Sequence, residues 1–290
     1  NVCPPGKSAD PDDLSEPGAQ DGNVIITARI PGVMHGRYGE GDVAKTLHYA
    51  VYEGNDVVFA SDKPDSPIPQ TVDAKNFTLA LNLVKGKKYD FVFWADASEG
   101  SPYEFSSSSK SVKVNYDNVG NNENRDAFFQ AVKDLTVGGA LTKTVELRRP
   151  FAQINVGTND FNLAAAANTK VATTTLSIRG AYNSLNLLSG EASGSADISY
   201  TAAVPENQTF PIGNYEYLSM DYILTGSVLP DADDVQNADR ELIDIAYTVT
   251  CTDGHEIDYS FSNVPVQRNY RTNIYGSLLT NPADFDIIVL

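Results

Sequence analysis

The middle of the chain reads LRRPFAQINVGT from residue 147 to residue 158. A β-prone segment ends at Leu147, and Pro150 interrupts the chain before a new segment begins. Because proline cannot donate to a strand ladder, Pro150 belongs at the start or the edge of a strand. From residue 151 to residue 156 the side chains alternate between two faces, as they do in a strand. This stretch therefore predicts the first strand of a second domain.

Short alternating segments extend from this point in both directions, for example residues 24–30, 46–53 and 76–83 before it and residues 242–250 after it. Turn residues separate them every 8–12 positions or so, a spacing typical of β-sandwiches. The sequence thus predicts an all-β fold of two tandem sandwiches, at residues 23–146 and 147–290. Residues 1–22 are rich in Pro, Gly and Asp and are predicted to form a flexible leader.

Two short helices are predicted beside the strands. Residues 123–132 carry an apolar stripe and follow Asn122, a good helix cap, and residues 160–167 contain four consecutive alanines. The polar stretches 101–111 and 189–196 are predicted as loops. The two halves show no obvious sequence repeat, and no run of 18 apolar residues predicts a membrane-spanning helix.

The charge of the chain limits its partners. Its formal net charge is −17 and its pI is about 4.4, which excludes nucleic acid as an expected partner because a phosphate backbone requires a basic surface. The acidic balance favours a soluble extracellular or cell-surface protein.

The residues that carry chemistry are sparse. Cys3 and Cys251 lie far apart and outside any C-x-x-C pair, so we expect no zinc or iron–sulfur site, and a disulfide between them stays open. The histidines show no metalloprotease spacing, and the chain has no nucleophile elbow and no phosphate-binding glycine motif. The sequence predicts no enzyme, no metal and no cofactor.

Three segments resemble one known family. They are residues 148–158, residues 215–222 (YEYLSMDY) and residues 263–276 (NVPVQRNYRTNIYG). They are similar to the fimbrillin-like proteins of Bacteroidales, the two-domain subunits of type V pili. The acidic leader and the strand at residues 46–53 fit the same family, so the resemblance spans nearly the whole chain.

The resemblance implies two transthyretin-like β-sandwich domains in a lipoprotein precursor that is exported to the outer membrane and the cell surface. It also implies that a trypsin-like protease cuts after an arginine that follows the first strand. That strand then leaves, and a donor strand from another pilin subunit takes its place. Arg37 lies in the Gly-rich stretch just after residues 24–30, so the bond between Arg37 and Tyr38 is the predicted processing site.

Several alternatives stay open at this stage. Residues 284–290 alternate and are terminal, so they could be the donor strand or could complete the second sandwich. Arg148 and Arg149 form a dibasic pair, but a strand start is a poor protease substrate. A different function is a binding module for glycans or host proteins that does not polymerise, with residues 101–111 or 230–240 as its loops. Tyr103 and Phe105 could then stack on sugars.

Overall fold

The computed structural model describes residues 22–31, 41–226 and 239–290, and strands dominate all three ranges. The predicted all-β fold of sandwiches is confirmed. The first half contributes ten strands: β1 (Asn23–Arg29), β2 (Ala44–Glu53), β3 (Asp56–Ala60), β4 (Gln70–Asp73), β5 (Asn76–Asn82), β6 (Lys88–Ala97), β7 (Tyr103–Ser106), β8 (Ser111–Val114), β9 (Phe128–Thr136) and β10 (Leu141–Glu146).

The second half contributes ten more strands and one helix. They are β11 (Phe151–Thr158), α1 (Phe161–Ala166), β12 (Val171–Ala181), β13 (Ser184–Asn186), β14 (Ala192–Ser193), β15 (Ala196–Ala203), β16 (Glu216–Leu224), β17 (Glu241–Cys251), β18 (Glu256–Val266), β19 (Arg271–Gly276) and β20 (Phe285–Val289). Helix α1 confirms the short helix predicted around the alanines.

Each half builds two four-stranded sheets. Sheet 1 has the order β10-β1-β5-β4, and sheet 2 has the order β3-β2-β6-β9. Their inner faces share one apolar core. Sheet 4 has the order β15-β12-β17-β18, and sheet 5 has the order β16-β11-β19-β20; these two also share a core. Along strands such as β1 and β5, every second side chain lies on the core, as the period of a strand requires.

The two halves repeat one another in topology. In each, the first strand lies between a parallel neighbour (β10 or β19) and an antiparallel neighbour (β5 or β16). In the first half, β2 pairs with β3 and β6, and β6 also pairs with β9. In the second half, β12 pairs with β15 and β17, and β17 also pairs with β18. The sequence did not reveal this repeat, because many different side chains satisfy the same alternation.

Sheet 3, with the order β14-β13-β8-β7, combines strands from both halves. A third apolar cluster lies under it and contains Trp94 from the first half and Phe151 and Tyr222 from the second. The Trp94 and Phe151 rings meet edge-on with their centroids 6.2 Å apart. The two halves are thus joined by a packed core of their own, and the domain boundary at residues 146/147 stays a prediction.

The helix predicted at residues 123–132 is wrong. Asn122 does act as a cap, since its Oδ1 accepts the N–H of Asn124 at 3.0 Å, but only one 3-10 turn (Glu123–Arg125) follows. The chain then becomes strand β9 and pairs with β6 from Phe128↔Ala95 onward. Phe and Val are strong strand formers, and the pairing with a buried neighbour outweighs the local helical pattern.

Two predicted loops contain strands. Residues 101–111 include β7, which pairs with β8, and residues 189–196 include the short β14, which pairs with β13. The serines around β7 favour a loop prediction, although Tyr103 and Phe105 alternate as strand residues do. Within the described ranges, no helix is long and apolar enough to cross a membrane.

Candidate strand-release site

Strand β1 is an interior strand of sheet 1. It pairs with β10 in parallel from Val24↔Leu141 to Arg29↔Glu146, and with β5 in antiparallel from Asn23↔Asn82 to Arg29↔Asn76. The ladder continues one residue further, where the Ile30 N–H donates to the Lys75 carbonyl at 2.8 Å. Both backbone edges of β1 are therefore in use, and its loss would leave two unpaired edges facing each other.

One face of β1 holds it in the core. Val24, Ile26, Ala28 and Ile30 are at most 1% exposed and pack in the core of the first half. The intervening residues face outward, and Ile25 is 36% exposed. A strand with this alternation fits between β10 and β5 in one register only, because a shift of the pairing by one residue would bury its outer face.

The residues just before and just after positions 32–40 lie close together. A Cβ added to Gly41 would lie 3.0 Å from Ile30 Cγ2, and Gly41 has a φ of +71°. Lys75 binds both sides, since its carbonyl accepts the Ile30 N–H and its Nζ lies 3.0 Å from Asp42 Oδ1. Arg37 and Tyr38, the predicted processing site, lie outside the described residues, so that site stays a prediction. No sequence pattern predicts the contacts of Lys75, because they depend on the turn between β4 and β5.

The arginines at the middle of the chain are structural. The backbones of Arg148 and Phe129 exchange two hydrogen bonds, at 2.8 and 2.9 Å. Arg149 is 5% exposed, and its Nε and Nη2 donate to the two carboxylate oxygens of Asp126 at 2.5 and 3.0 Å. Its guanidinium also lies over the Phe128 ring, 4.6 Å from the centroid. Arg148 is thus hydrogen-bonded through its backbone, and Arg149 is buried in an ion pair. Both features are expected of a poor protease substrate.

The terminal segment, residues 284–290, forms strand β20 at the edge of sheet 5. It pairs with β19 from Thr272↔Val289 to Gly276↔Phe285. In this structure it completes the second sandwich, while its outer edge has no partner strand among the described residues. Ile288 and Leu290 are 37% and 39% exposed.

The aromatic residues considered for sugar stacking differ in their placement. Tyr103 is buried, its ring packs against Trp94 and Phe151, and its hydroxyl donates to the Arg125 carbonyl at 2.5 Å. Phe105 is half-buried and stacks on His48 with centroids 5.5 Å apart. Tyr103 is therefore a core residue. Of the second candidate loop, residues 230–238 lie outside the described ranges.

The potential ligand-binding groups of the described residues are dispersed. No group of three or more His, Cys, Asp or Glu in these ranges could hold a metal ion. Cys251 is buried and has no disulfide partner among the described residues, and the pKa of its thiol is raised, first by burial and then by the nearby Asp253. Cys3 lies outside the described residues.

The fold is shared with solved structures from Bacteroides. A candidate cell adhesion protein from Bacteroides uniformis is 14% identical, with a TM-score of 0.51 over 93% of this chain and 98% of that chain. A candidate adhesin from Bacteroides thetaiotaomicron is 13% identical, with a TM-score of 0.52 over 96% and 97%. Candidate polysaccharide-binding proteins from the same species are 12% identical, with a TM-score of 0.52 over 89% and 93%. At such identities the likeness concerns the fold.

The sequence itself also has a match. No curated protein matches the chain. A family model described as a family of unknown function (DUF6562) matches residues 46–289, which include every strand from β3 to β20. The chain therefore belongs to this family of unknown function, DUF6562.

Proposed function

We propose that the chain is a structural subunit of cell-surface fimbriae of the type V pilus kind, and that it supports adhesion and is not an enzyme. The observation that carries the proposal is the placement of β1, an interior strand followed directly by the segment that contains Arg37. The names of two similar structures, a candidate cell adhesion protein and a candidate adhesin, support the same role. The assembly step is strand exchange after cleavage between Arg37 and Tyr38.

A single cut at this place would free β1 from all the strands that follow it. Residues 32–40 belong to the main-chain connection between β1 and β2, so a cut there separates the backbone of β1 from that of the later strands. The released piece would contain no other described strand, so the rest of sheet 1 and all of sheet 2 would stay connected.

Cleavage by itself would not remove β1. Burying a large aliphatic side chain contributes about 1.5–3 kcal/mol, so Val24, Ile26 and Ile30 together contribute roughly 5–9 kcal/mol. Hydrogen bonds to β5 and β10 add to this. A cut molecule would therefore keep β1 until another strand with the same alternation displaces it, since only such a strand restores both the core contacts and the two ladders.

The partners follow from this mechanism. They are other pilin subunits, which supply and accept strands, and a trypsin-like processing protease that recognises Arg37. A lipid-anchored precursor at the outer membrane would present the subunit at the cell surface. Strand β20, with its free outer edge among the described residues, is one candidate donor.

Limited trypsin digestion tests the proposal. We expect one early cut, a new N-terminus at Tyr38, and then ladders on gels that heat abolishes, with filaments by electron microscopy. Arg37→Ala should prevent both the cut and the ladders. Arg179→Ala, which removes an exposed arginine on the paired strand β12, should change neither. An early N-terminus elsewhere would refute the processing site, and cleavage at Tyr38 that leaves only monomers would refute the exchange.

A second function is favoured by one observation, the likeness to candidate polysaccharide-binding proteins. The chain would then bind glycans or host proteins as a monomer. The burial of Tyr103 removes one of the two aromatic residues that supported this function. A glycan array with the uncut protein tests it, and specific binding together with no polymer after trypsin would favour it.

A further inference from the structure

A small recess lies on the face of sheet 5 that is turned away from its sandwich core. Its floor comes from three neighbouring strands, with Gln153 on β11, Tyr217 on β16 and Arg271 on β19. Its rim comes from the 3-10 turn before β9, with Glu123, and from the loop between β15 and β16, with Gln208. The volume of this Arg271 recess is about 100 Å³, and both halves of the chain contribute to it.

Strand pairing and ring packing fix the floor. Gln153 lies opposite Arg271 on β19, so the two side chains share one face of the sheet. Tyr217 is 8% exposed, and its ring meets the Phe210 ring edge-on with centroids 5.0 Å apart. A Cβ at Gly157 would come within 2.5 Å of the Phe210 ring, so glycine at this position leaves room for the ring that supports Tyr217. The floor is therefore formed before any ligand arrives.

The guanidinium of Arg271 is available for binding. Arg271 is half-buried, and its side chain forms no ion pair and no hydrogen bond with any described residue. Its Nε is buried without an acceptor, whereas its two terminal nitrogens are not buried. These terminal nitrogens are thus two charged donors without a protein partner in the described ranges.

The other polar groups around the recess are available in the same way. Six side chains that line it make no side-chain hydrogen bond to a residue that the structure describes: Asn121, Glu123, Gln208, Thr209, Tyr217 and Arg271.

Polar side chains further along the same face are paired with each other. The Asn155 Nδ2 donates to Gln153 Oε1 and to Asn273 Oδ1, and the Gln153 Nε2 donates to the Tyr222 hydroxyl. The hydrogen-bond network of this face therefore ends at the recess. A concave site where unpaired polar groups converge has the features of a ligand site.

The two charges of the recess favour a neutral ligand. An anion would be repelled by Glu123 and by the net charge of −17, and a cation would be repelled by Arg271. A hydroxyl group meets both requirements, because its oxygen accepts from a guanidinium and its hydrogen is donated to a carboxylate. Sugars carry such hydroxyls side by side. Pockets for drug-sized ligands measure about 300–1,000 Å³, so this recess is suited to one end of a sugar chain.

We propose that the Arg271 recess binds the terminal neutral sugar of a glycan. Arg271 and Tyr217 would donate to hydroxyl oxygens of the sugar, and Glu123 would accept from one of its hydroxyls. Gln208 and Thr209, both exposed on the rim, would contact its outer side. This proposal rests on the second function given above, glycan binding by the uncut chain, and names the site for it. It does not depend on Arg37 or on the release of β1.

NMR titration of the uncut full chain tests the proposal. The probes are the methyl glycosides of glucose, galactose and mannose, with sodium acetate as the anionic probe. We expect at least one glycoside to bind and to shift the Arg271 Nε–H signal and the ring signals of Tyr217. Shifts confined to other residues would overturn the site. Tighter binding of acetate than of every glycoside at Arg271 would overturn the neutral ligand.

Matched variants test the roles of the two charges. Arg271→Gln and Glu123→Gln should each weaken glycoside binding about tenfold, since each removes a charge-assisted hydrogen bond. Because Glu123 is exposed, its variant tests the site without disturbing the floor. The controls Arg179→Gln and Glu206→Gln change exposed residues outside the recess and should leave binding unchanged.

The outcomes separate the site from the function. Glycan binding that both Arg271→Gln and Glu123→Gln retain in full would refute the recess and leave the second function standing. No binding of the natural chain in these titrations or on a glycan array would refute both.

Discussion

Strands β1 and β11 hold the same position in their sheets, and they differ in how firmly the molecule holds them. Each lies between one parallel and one antiparallel neighbour. In β1 only every second residue is buried, whereas all eight residues of β11 are buried. The reason is that the outer face of β11 packs under the cluster that joins the two halves, while the outer face of β1 is open to solvent.

Polar contacts reinforce the difference. On β11, the Asn155 Nδ2 donates to Gln153 Oε1 and to Asn273 Oδ1, both at 3.0 Å, and the Gln153 Nε2 donates to the Tyr222 hydroxyl at 3.1 Å. Arg149 fixes the start of β11 to Asp126. The same position in the topology can thus hold a strand by one face, as in β1, or by both faces, as in β11.

The anchor at the start of β11 offers the largest test of this comparison. Arg149→Met leaves the Asp126 carboxylate buried without its partner, which costs about 3–5 kcal/mol. Arg179→Met, at an exposed arginine on β12, should change the free energy of unfolding by less than about 0.5 kcal/mol. Urea unfolding measures both. Similar losses for the two variants would show that the ion pair does not anchor β11.

The one-sided burial of β1 gives the next largest effect. Ile26→Ala should cost about 2–5 kcal/mol because Ile26 is fully buried. Ile25→Ala, one residue away on the open face, should cost well under about 1 kcal/mol. Thermal and urea unfolding of the uncut protein provide the measurement. If the two substitutions cost the same, β1 is not held by one face.

The outer faces of the two strands can be compared directly. Asn155→Ala removes the amide that joins Gln153 to Asn273 and leaves their acceptors buried, at a cost of about 1–3 kcal/mol. Thr27 is a half-buried residue on the outer face of β1, and Thr27→Ala should cost less than about 0.5 kcal/mol. A cost for Thr27→Ala as large as that for Asn155→Ala would contradict the contrast drawn between the two strands.

The smallest expected effect depends on pH. Burial raises the pKa of the Asp221 carboxyl on β16 well above its usual range, while the Asn121 N–H and the charge of Arg125 oppose this shift. A raised pKa in the folded state means that stability is lost as the pH rises through that pKa. Asp221→Asn should therefore gain stability relative to the natural protein between pH 4 and pH 8.

Melting curves at several pH values test this prediction, with Asp258→Asn on the exposed face of β18 as the control. The stability difference between Asp258→Asn and the natural protein supplies the background against which the effect of Asp221→Asn is read. A falling advantage of Asp221→Asn with rising pH would contradict the assigned direction.

Strand alternation was readable from the sequence where one face of a strand meets the core. Residues 24–30 and 76–83 were found for this reason, and they place β1 and β5 almost to the residue. Phe128 and Val132 also fit a helical stripe, and only the distant partner β6 decides in favour of a strand. Local pattern carries no information about such a partner.

The candidate sites differ in how far they could be predicted from the sequence. Arg37 was predicted from its place behind a strand and from family resemblance. The Arg271 recess was not predicted, because it brings together separate stretches of the chain from both halves. The roles of Arg149 and Asp126 were also hidden, since 22 intervening residues separate an ordinary acid from an ordinary base.

Gly41 and Lys75 have a consequence for timing under the proposed function. They hold the chain before and after residues 32–40 close together, so a nicked molecule would stay anchored on both sides of the cut. Cleaved subunits that still hold β1 would then persist after the protease has acted. The rate of fibre growth would then depend on how fast a donor strand displaces β1. A cell could accumulate cleaved subunits first and assemble them later.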